Sequence, residues 1–567
     1  MAIDTKPSVR SASRLLTPVL CLSGVVVALQ QTLVIPLLHD FPAILGVDYA
    51  SATWLVTATL LTGAVATPIV SRLADMFGKR RMMLVSLATM VVGSLLAALG
   101  GTFLLVLIGR GLQGFASALV PVGIGILRDE LPRAKVAGAT ALMSATLGIG
   151  SALGLPLSGV VFEHLGWEAI FWMSAFAGAA LFAAVLAVIP ESPVRTPGRF
   201  DLPGALLLST ALVALLLGIS KGGSWGWTDE RTLIAAAVAV IAFAVWFPFE
   251  LRVNQPMVDL RTSARRPVLL TNLAALLVGI AMYGNLLVST QQLEMSTGTG
   301  YGHGLSVFEA GLYMVPAGLT MVVFAPLAGR LIGRIGAKYT LVIGCGVMVV
   351  AYLARVFVAG SIPMIVLGAM FVTSGTAIAY ATMPILIMGS VPITETASAN
   401  GINALLRSVG TSISSAVIAA LMTVVTMTVG GQVFPSLAAF RTVYSIAAVV
   451  ALVAAVVALF LPRAGAAADD RAPDELVGGS LYGRVTAAGE PCGDGRVTLV
   501  KATGEYVGTT VTGPDGGYEF TQPPSGRYLI TVLGADLSTV TRQVTVLSRP
   551  AAVDIDLAED RQPAGAR

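Results

Sequence analysis

From residue 15 to residue 461 the apolar positions run in blocks near twenty residues long, separated by short polar or basic stretches. A block of that length crosses the roughly 30 Å hydrocarbon core of a bilayer as helix. The pattern therefore predicts about fourteen spans, near 15–38, 51–70, 82–100, 103–126, 136–161, 168–189, 203–220, 231–249, 267–292, 309–328, 338–357, 362–387, 398–427 and 440–461. After Pro462 the pattern changes. Residues 463–479 are mostly Ala, Asp, Pro and Gly and read as a flexible linker. Short alternating runs follow at Leu481–Val485, Arg496–Val500, Tyr518–Phe520, Tyr528–Leu533, Val544–Leu547 and Val553–Leu557, with turns such as Gly513–Gly516 between them. Alternation of period two between such turns predicts a small antiparallel sandwich.

Composition agrees with the pattern. Apolar residues make up 55% of the chain and charged ones 12%, and the mean hydropathy is +0.83. Water-soluble domains carry about a quarter charged residues, so the expected fold class is an all-α polytopic membrane protein followed by a small all-β domain. With a cytosolic N-terminus, the inside loops hold Arg72, Lys79, Arg80, Arg81, Arg128, Arg133, Lys135, Arg195, Arg199, Arg252, Arg261, Arg265, Arg266, Arg330, Arg334 and Lys338. The outside loops hold little beyond Lys221, Arg231 and Arg441. Cations follow the cytosolic side, so the net charge of +4 reports topology and implies no nucleic-acid partner. An even number of spans returns the C-terminus to the cytosol. Lys6, Arg10 and Arg14 precede a run too long for a signal peptide, which reads as an uncleaved first span. Cys21, Cys345 and Cys492 form no CxxC, and His39, His164 and His303 are isolated, so no metal site is expected. No phosphate-cradling GxxxxGK[ST] occurs. The chain is expected to be no enzyme and to need no cofactor.

Two basic islands share a frame. In Ser71–Leu84 (SRLADMFGKRRMML) and Gly329–Leu341 (GRLIGRIGAKYTL), Arg72-Leu73 falls on Arg330-Leu331, Gly78 on Gly336 and Arg80 on Lys338; upstream, Pro68 falls on Pro326. This is an internal repeat of two six-helix halves, each with a basic turn after its second helix. The expected divisions are a cytosolic tail 1–14, an N-terminal half 15–200, two extra linking helices 201–252, a C-terminal half 253–462, a linker 463–479, a β-sandwich 480–558 and a disordered tail 559–567.

Charge inside a bilayer is costly and marks function. Arg110 lies in the fourth span with Gln113 three residues on, and Arg407 lies in a later span, where it also reads as a cation snorkelling toward the cytosolic side. The fifth span carries Gly150, Gly154, Pro156 and Gly159, a spacing that lets two helices approach closely and bends one of them. Ordinary small-residue packing is the plainer reading. In the first island Asp75 stands beside Arg72, Lys79, Arg80 and Arg81, an ion-pair cluster able to hold one access state closed; Gly329, Arg334 and Gly336 mark the second copy.

These residues carry a resemblance. Residues 12–462 resemble the major facilitator superfamily, and within it the fourteen-span drug:proton antiporter branch of EmrB/QacA type. Ser71–Leu84 is similar to its loop signature GxLADRxGRKxxxL, with Ser71 for the first Gly and Met76 for the Arg. Val106–Gly114 resembles LxxxRxxQG, which puts Arg110 at the basic position implicated in proton coupling. Gly150–Gly159 (GSALGLPLSG) resembles the fifth-helix antiporter signature GxxxGPxxGG, with the Pro displaced to Pro156. Trp167–Phe171, Pro256–Leu260, Glu309–Pro316 and Ser398–Gly410 also read like this branch. One departure matters: Gln30 stands where the branch carries a first-helix Asp, and no carboxylate lies near a span midpoint. A glutamine cannot titrate. The tail, residues 480–558, resembles carboxypeptidase-regulatory-like sandwiches of transthyretin type, through Gly483–Val485, Arg496–Leu499, Asp515–Tyr518 and Ser525–Tyr528.

The resemblance implies a secondary exporter of the bacterial plasma membrane that moves small amphipathic or cationic compounds by alternating access, driven by a proton gradient. Gln30, Thr32, Arg110, Gln113, Asn285 and Arg407 are its expected cavity wall, Thr32 and Asn285 on span depth alone. The default for this fold is a monomer. A receptor or scaffold with the β domain as output, and a dedicated exporter of one metabolite or lipid, stand as alternatives. For the tail, a passive appendage stands beside a regulatory or partner-binding module.

Overall fold

The structure, a computed structural model, describes residues 9–192, 194–196, 198–357, 360–462, 481–487, 489–501, 506–520, 523, 526–534, 539–546 and 551–557. The expected linker 463–479 and tail 559–567 lie outside these residues, as does most of the N-terminal tail. The chain divides into two units, Met1–Ala464 and Gly465–Arg567.

The first unit is helical. Its long helices are α1 (Val9–Thr32), α2 (Trp54–Phe77), α3 (Lys79–Leu99), α4 (Phe103–Gln113), α5 (Leu119–Glu130), α6 (Arg133–Leu165), α7 (Glu168–Val188), α8 (Leu202–Trp225), α9 (Glu230–Arg252), α10 (Arg266–Glu294), α11 (Val307–Phe357), α12 (Ile362–Met388), α13 (Thr396–Val424) and α14 (Leu437–Leu459). A 3-10 turn at Gly114–Ala118 joins α4 to α5, so that 103–130 forms one stretch of membrane length. Among the described residues thirteen stretches are long and apolar enough to cross a bilayer. One of them, α11, is 51 residues long, on the order of 75 Å at 1.5 Å per residue, enough for two crossings. Its backbone leaves the helix at Gly336 (φ 81°, ψ 161°).

That break is the second copy of an earlier one. Gly78, between α2 and α3, has φ 117° and ψ 131°. Positive φ with extended ψ is open to glycine and costly for any residue with a Cβ. The paired glycines of the two basic islands thus make the same kind of corner between successive helices. Large apolar side chains such as Phe176, Val240, Ile241, Val323 and Val350 face outward, as a lipid-facing surface requires.

The α8–α9 hairpin lies between the two six-helix sets in sequence. Asp201 caps α8 by accepting from the Gly204 amide, with Pro203 in the first turn, and Asp229 caps α9. Leu208, Leu212 and Leu216 of α8 and Trp246 of α9 share a core with Ala64 of α2 and Leu405 and Val409 of α13. The hairpin therefore packs on both sets.

The span expected over 398–427 ends at Val424, and a two-stranded hairpin, β1 (Thr426–Val429) and β2 (Gln432–Pro435), follows it. Thr426, Thr428 and Gln432 supply polar alternation that the hydropathy of the neighbouring helices masks, and Gly430-Gly431 take positive φ at the turn.

The second unit holds β3 (Leu481–Ala487), β4 (Glu490–Pro491), β5 (Arg496–Lys501), β6 (Tyr506–Val511), β7 (Gly517–Phe520), β8 (Gly526–Leu533), β9 (Thr539–Val546), β10 (Ala551–Ala552) and β11 (Ile555–Asp556). One antiparallel sheet runs β6-β5-β8-β9; the other gathers β4, β7, β10 and β11 around β3. Leu481, Val485, Tyr518 and Ile555 of one sheet meet Val497, Leu499, Ile530 and Val532 of the other in a common core. The expectation of purely antiparallel pairing is corrected: β10 and β11 run parallel to β3. Strand β6 was not anticipated, because Gly508 and two threonines weaken its apolar alternation.

Candidate functional site

The first basic island folds into a clasp. Asp75, in the last turn of α2, has no solvent exposure. Its Oδ1 accepts from the Ala397 amide at 3.2 Å and its Oδ2 from the Ser398 amide at 2.7 Å. These are free amides in the first turn of α13, where the helix dipole favours a carboxylate. Around it, Lys79 Nζ stands 3.6 Å from Asp75 and 2.7 Å from Asp129 Oδ2, also out of solvent. The Ser192 hydroxyl donates to the same Asp129 oxygen at 2.6 Å. Arg128 of α5 donates to Thr396 Oγ1 at 2.6 Å and to the Val391 carbonyl at 3.3 Å. The clasp thus joins α2, α3 and α5 of the first six-helix set to the foot of α13 in the second.

The structure splits the cations expected to cluster with Asp75. Lys79 holds it. Arg80 instead donates to the Leu186 carbonyl near the end of α7 at 2.6 Å, and Arg81 pairs on the surface with Glu191 at 3.6 Å. Arg72 is buried and lines a cavity of about 170 Å³ with Asp259 and Glu395. The second island is built differently. In the frame that lays Gly336 over Gly78, Asp75 falls on Gly333 and Lys79 on Ala337, so that copy lacks both members of the ion pair. Arg334 is exposed, and a side chain at Gly329 would stand 3.4 Å from Gly138 of α6, a close backbone approach.

Arg110 is 1% exposed. Its Nε donates to the Leu55 carbonyl at 2.9 Å, and its Nη1 to the Gln30 carbonyl at 3.1 Å and to Gln113 Oε1 at 2.8 Å. Gln113 Nε2 donates onward to Ser94 Oγ at 2.7 Å, and Gln30 Nε2 to the Gln113 carbonyl at 2.9 Å. One guanidinium thus ties α1, α2 and α4, and through Gln113 reaches α3. Gln30 Oε1 is buried without a hydrogen-bond partner among the described residues. Thr32 belongs to a different contact: its hydroxyl donates within α1 to the Ala28 carbonyl at 3.0 Å and reaches the Gly150 carbonyl of α6 at 3.4 Å.

A second buried guanidinium escaped the sequence reading. Arg355 of α11 is 2% exposed. It donates to Asn285 Oδ1, to Ser289 Oγ at 2.9 Å and to the Tyr444 hydroxyl at 2.7 Å, and stands 4.1 Å over the Tyr444 ring. Asn285 Nδ2 reaches the Ala369 carbonyl and Thr373 Oγ1, each at 3.3 Å. In the island frame Arg355 falls on Ala97. The packing agrees: a side chain at Gly109 would meet Ala97, and one at Gly368 would meet the Arg355 stem at 2.7 Å. Each set therefore holds a guanidinium among its own packed helices, Arg110 on α4 and Arg355 on α11. The repeat was the signal, but only with the helices aligned does Arg355 leave the span end where hydropathy puts it. Arg407 is half-buried and lies 4.6 Å over the Tyr380 ring. Among the described residues none of these three arginines has an ion pair; the three pairs present are all in the clasp region.

The glycines of α6 work on two faces. A Cβ at Gly150 would stand 2.5 Å from Ala28 Cβ and one at Gly154 1.8 Å from Thr32 Oγ1, both on α1. Gly159 faces Phe308 at 3.1 Å and Gly148 faces Met321 at 2.0 Å, both on α11. Pro156 sits inside the continuous helix. So α6 seats against its own set through one stripe and against the other set through a second.

Outside the spans, Asp259 caps the short helix Leu260–Ser263 beside the Arg72 cavity. Burial raises its carboxyl, but hydrogen bonds from the Thr262 hydroxyl and from the Thr262 and Arg261 amides outweigh that, and its pKa lies below the ordinary aspartate value.

Residues 20–415 match the Major Facilitator Superfamily profile. The Tetracenomycin C resistance and export protein of Streptomyces glaucescens is 32% identical over 320 residues, which are 56% of this chain and 58% of that one. The chain thus spans less than two thirds of that relative. Multidrug resistance protein Stp of Mycobacterium tuberculosis is 28% identical over 388 residues, 68% of this chain and 71% of the relative. Among solved structures, the proton:xylose symporter XylE superposes with a TM-score of 0.57 at 13% identity, over 80% of this chain and 97% of that one. The human organic anion transporter MFSD10 gives 0.56 at 17%, over 80% and 100%. Likeness at that identity establishes the fold.

Proposed function

The chain belongs to the major facilitator superfamily, and from that premise we propose that it is a secondary exporter of the fourteen-span drug:proton antiport type. The observation that carries the reading is the clasp. A carboxylate seated on the first amides of a helix in the other half is a contact that a rocking motion breaks and remakes as a unit. The clasp closes the face that carries the Arg- and Lys-rich loops, which the positive-inside rule assigns to the cytosol. Both termini are then cytosolic, in a bacterial plasma membrane, and the protein works as a monomer. The closed clasp is the state that receives protons and discharges substrate outside. Two of its relatives are named for drug resistance or export, which favours amphipathic compounds as cargo.

Charge refines the cargo. Arg110, Arg355 and Arg407 have no carboxylate paired with them among the described residues, so a cation entering their field meets repulsion at low dielectric. Neutral and anionic amphipaths fit better than the cationic ones that the resemblance suggests. The test is dye uptake into inverted vesicles with a pH gradient imposed and then collapsed, using ethidium as cation, Nile red as neutral dye and fluorescein as anion. The reading expects gradient-dependent movement of the neutral or anionic dye. Movement of ethidium alone overturns the charge argument, and movement that ignores the gradient overturns antiport.

A further inference from the structure

A proton antiporter needs a group that takes and gives up a proton, and Gln30 cannot. The helices outside the twofold repeat hold a candidate. Asp201, at the start of α8, and Glu250, in the last turn of α9, are 9% and 2% exposed. One oxygen of each is accounted for: Asp201 Oδ1 accepts from the Gly204 amide at 2.9 Å and Glu250 Oε1 from the Val258 amide at 2.6 Å. The other oxygens, Asp201 Oδ2 and Glu250 Oε2, are buried with no hydrogen-bond partner among the described residues. They converge on one point. A Cβ built on Gly204 would stand 2.2 Å from Asp201 Oδ2 and 2.7 Å from Glu250 Oε2, so the missing side chain of Gly204 is the space the two carboxyl groups share.

Two bare carboxylate oxygens that border the same small space away from water repel, and such a pair does not ionise fully. A single proton turns two orphan acceptors into a donor and an acceptor. We propose that Asp201 and Glu250 hold one proton between them, and that the pair is the station from which the antiport cycle releases its proton to the cytosol. The second half of this statement rests on the antiport reading above. The pair takes the proton from a hydronium ion, forming one carboxyl O–H bond and leaving water, and releases it to cytosolic water by breaking that bond; no other bond changes.

The charges around the pair give it a route to the clasp. From α2, Arg72 attracts Glu250, while Asp201 repels it. Arg72 also attracts Glu395, just before α13, which in turn feels Asp259 and Arg265. Arg72 therefore stands between an acidic pair on the α8–α9 hairpin and an acidic residue at the foot of the helix that Asp75 holds. Loss of the shared proton adds a negative charge on the hairpin side and draws Arg72 away from Glu395. Because the hairpin packs on both α2 and α13, that change acts where the halves separate. The two extra helices thus acquire a task that the repeat does not supply.

The test is infrared difference spectroscopy of the full-length protein in liposomes, titrated across the neutral range in light and heavy water. The expected result is a protonated-carboxyl C=O band that shifts on deuteration, is lost in both E250Q and D201N, and persists in E163Q, a change at an exposed residue. E250Q vesicles should also lose the stimulation of dye movement by the pH gradient. Absence of the band in the wild type, or its persistence in either pair variant, overturns the proposal. The wild-type band itself requires no variant to fold. If the band behaves as expected while wild-type dye movement ignores the gradient, the shared proton stands and antiport falls.

Discussion

Lys79 is the residue on which the clasp most depends. It is fully buried with a carboxylate on either side, at 3.6 Å and 2.7 Å, so K79M leaves Asp75 and Asp129 facing each other without a counter-ion. Breaking a buried pair from one side costs about 3–5 kcal/mol, and the expected outcome is a clear fall in the thermal midpoint in detergent, larger than for R81M, whose target pairs on the surface. At Arg110 charge alone is insufficient. R110K keeps the cation but cannot reach three acceptors on two sides of a planar fork, and each lost charge-assisted bond is worth about 1.5–3 kcal/mol; thermal unfolding of the purified variant measures it. Asp259 supplies a pH-dependent term. Its folded pKa is depressed, so its stabilisation is present above the unfolded value and is lost as pH falls through the folded one. D259A should therefore be less stable than wild type at neutral pH, with the gap closing in acid; urea midpoints at the two pH values decide it.

At the scale of helices, close approach does the work that hydrogen bonds do at single residues. The α1–α6 contact has no room at Gly154, where even a methyl carbon would stand 1.8 Å from Thr32 Oγ1. G154V is expected to separate the two helices and abolish dye export, whereas G138A, at a position with nothing within 4 Å, should leave export intact. Vesicle assays of the two variants compare them directly. The α2–α3 and α11 corners differ in what they demand. Gly78 and Gly336 both need positive φ, but only Gly78 also faces a neighbour, Glu191 Oε1 at 2.4 Å. The copies share a backbone and differ in side-chain chemistry, so the first became the clasp.

At the scale of the molecule, the membrane unit and the β unit each have their own core. Domains that satisfy their own hydrophobic cores unfold separately, so two transitions are expected by calorimetry of the full-length protein. Export by a chain ending at residue 464 separates the transporter reading from a receptor whose output is the tail: retained export fits the former.

How much of this was legible beforehand follows from the range of the forces involved. Span positions, the basic face, the repeat and most strands of the second unit are written in local hydropathy, charge and turn residues, because a bilayer and a pleated sheet each impose one period on any sequence they accept. Gly78 and Gly336 could be paired by eye for the same reason. The partners of a buried charge are not local. Whether Asp75 reaches the Ala397 and Ser398 amides, whether Arg355 sits at a helix end or in a core, and whether Asp201 and Glu250 border one space depend on residues tens to hundreds of positions apart being brought close enough for hydrogen bonds and charges to act. Only the packed helices decide that.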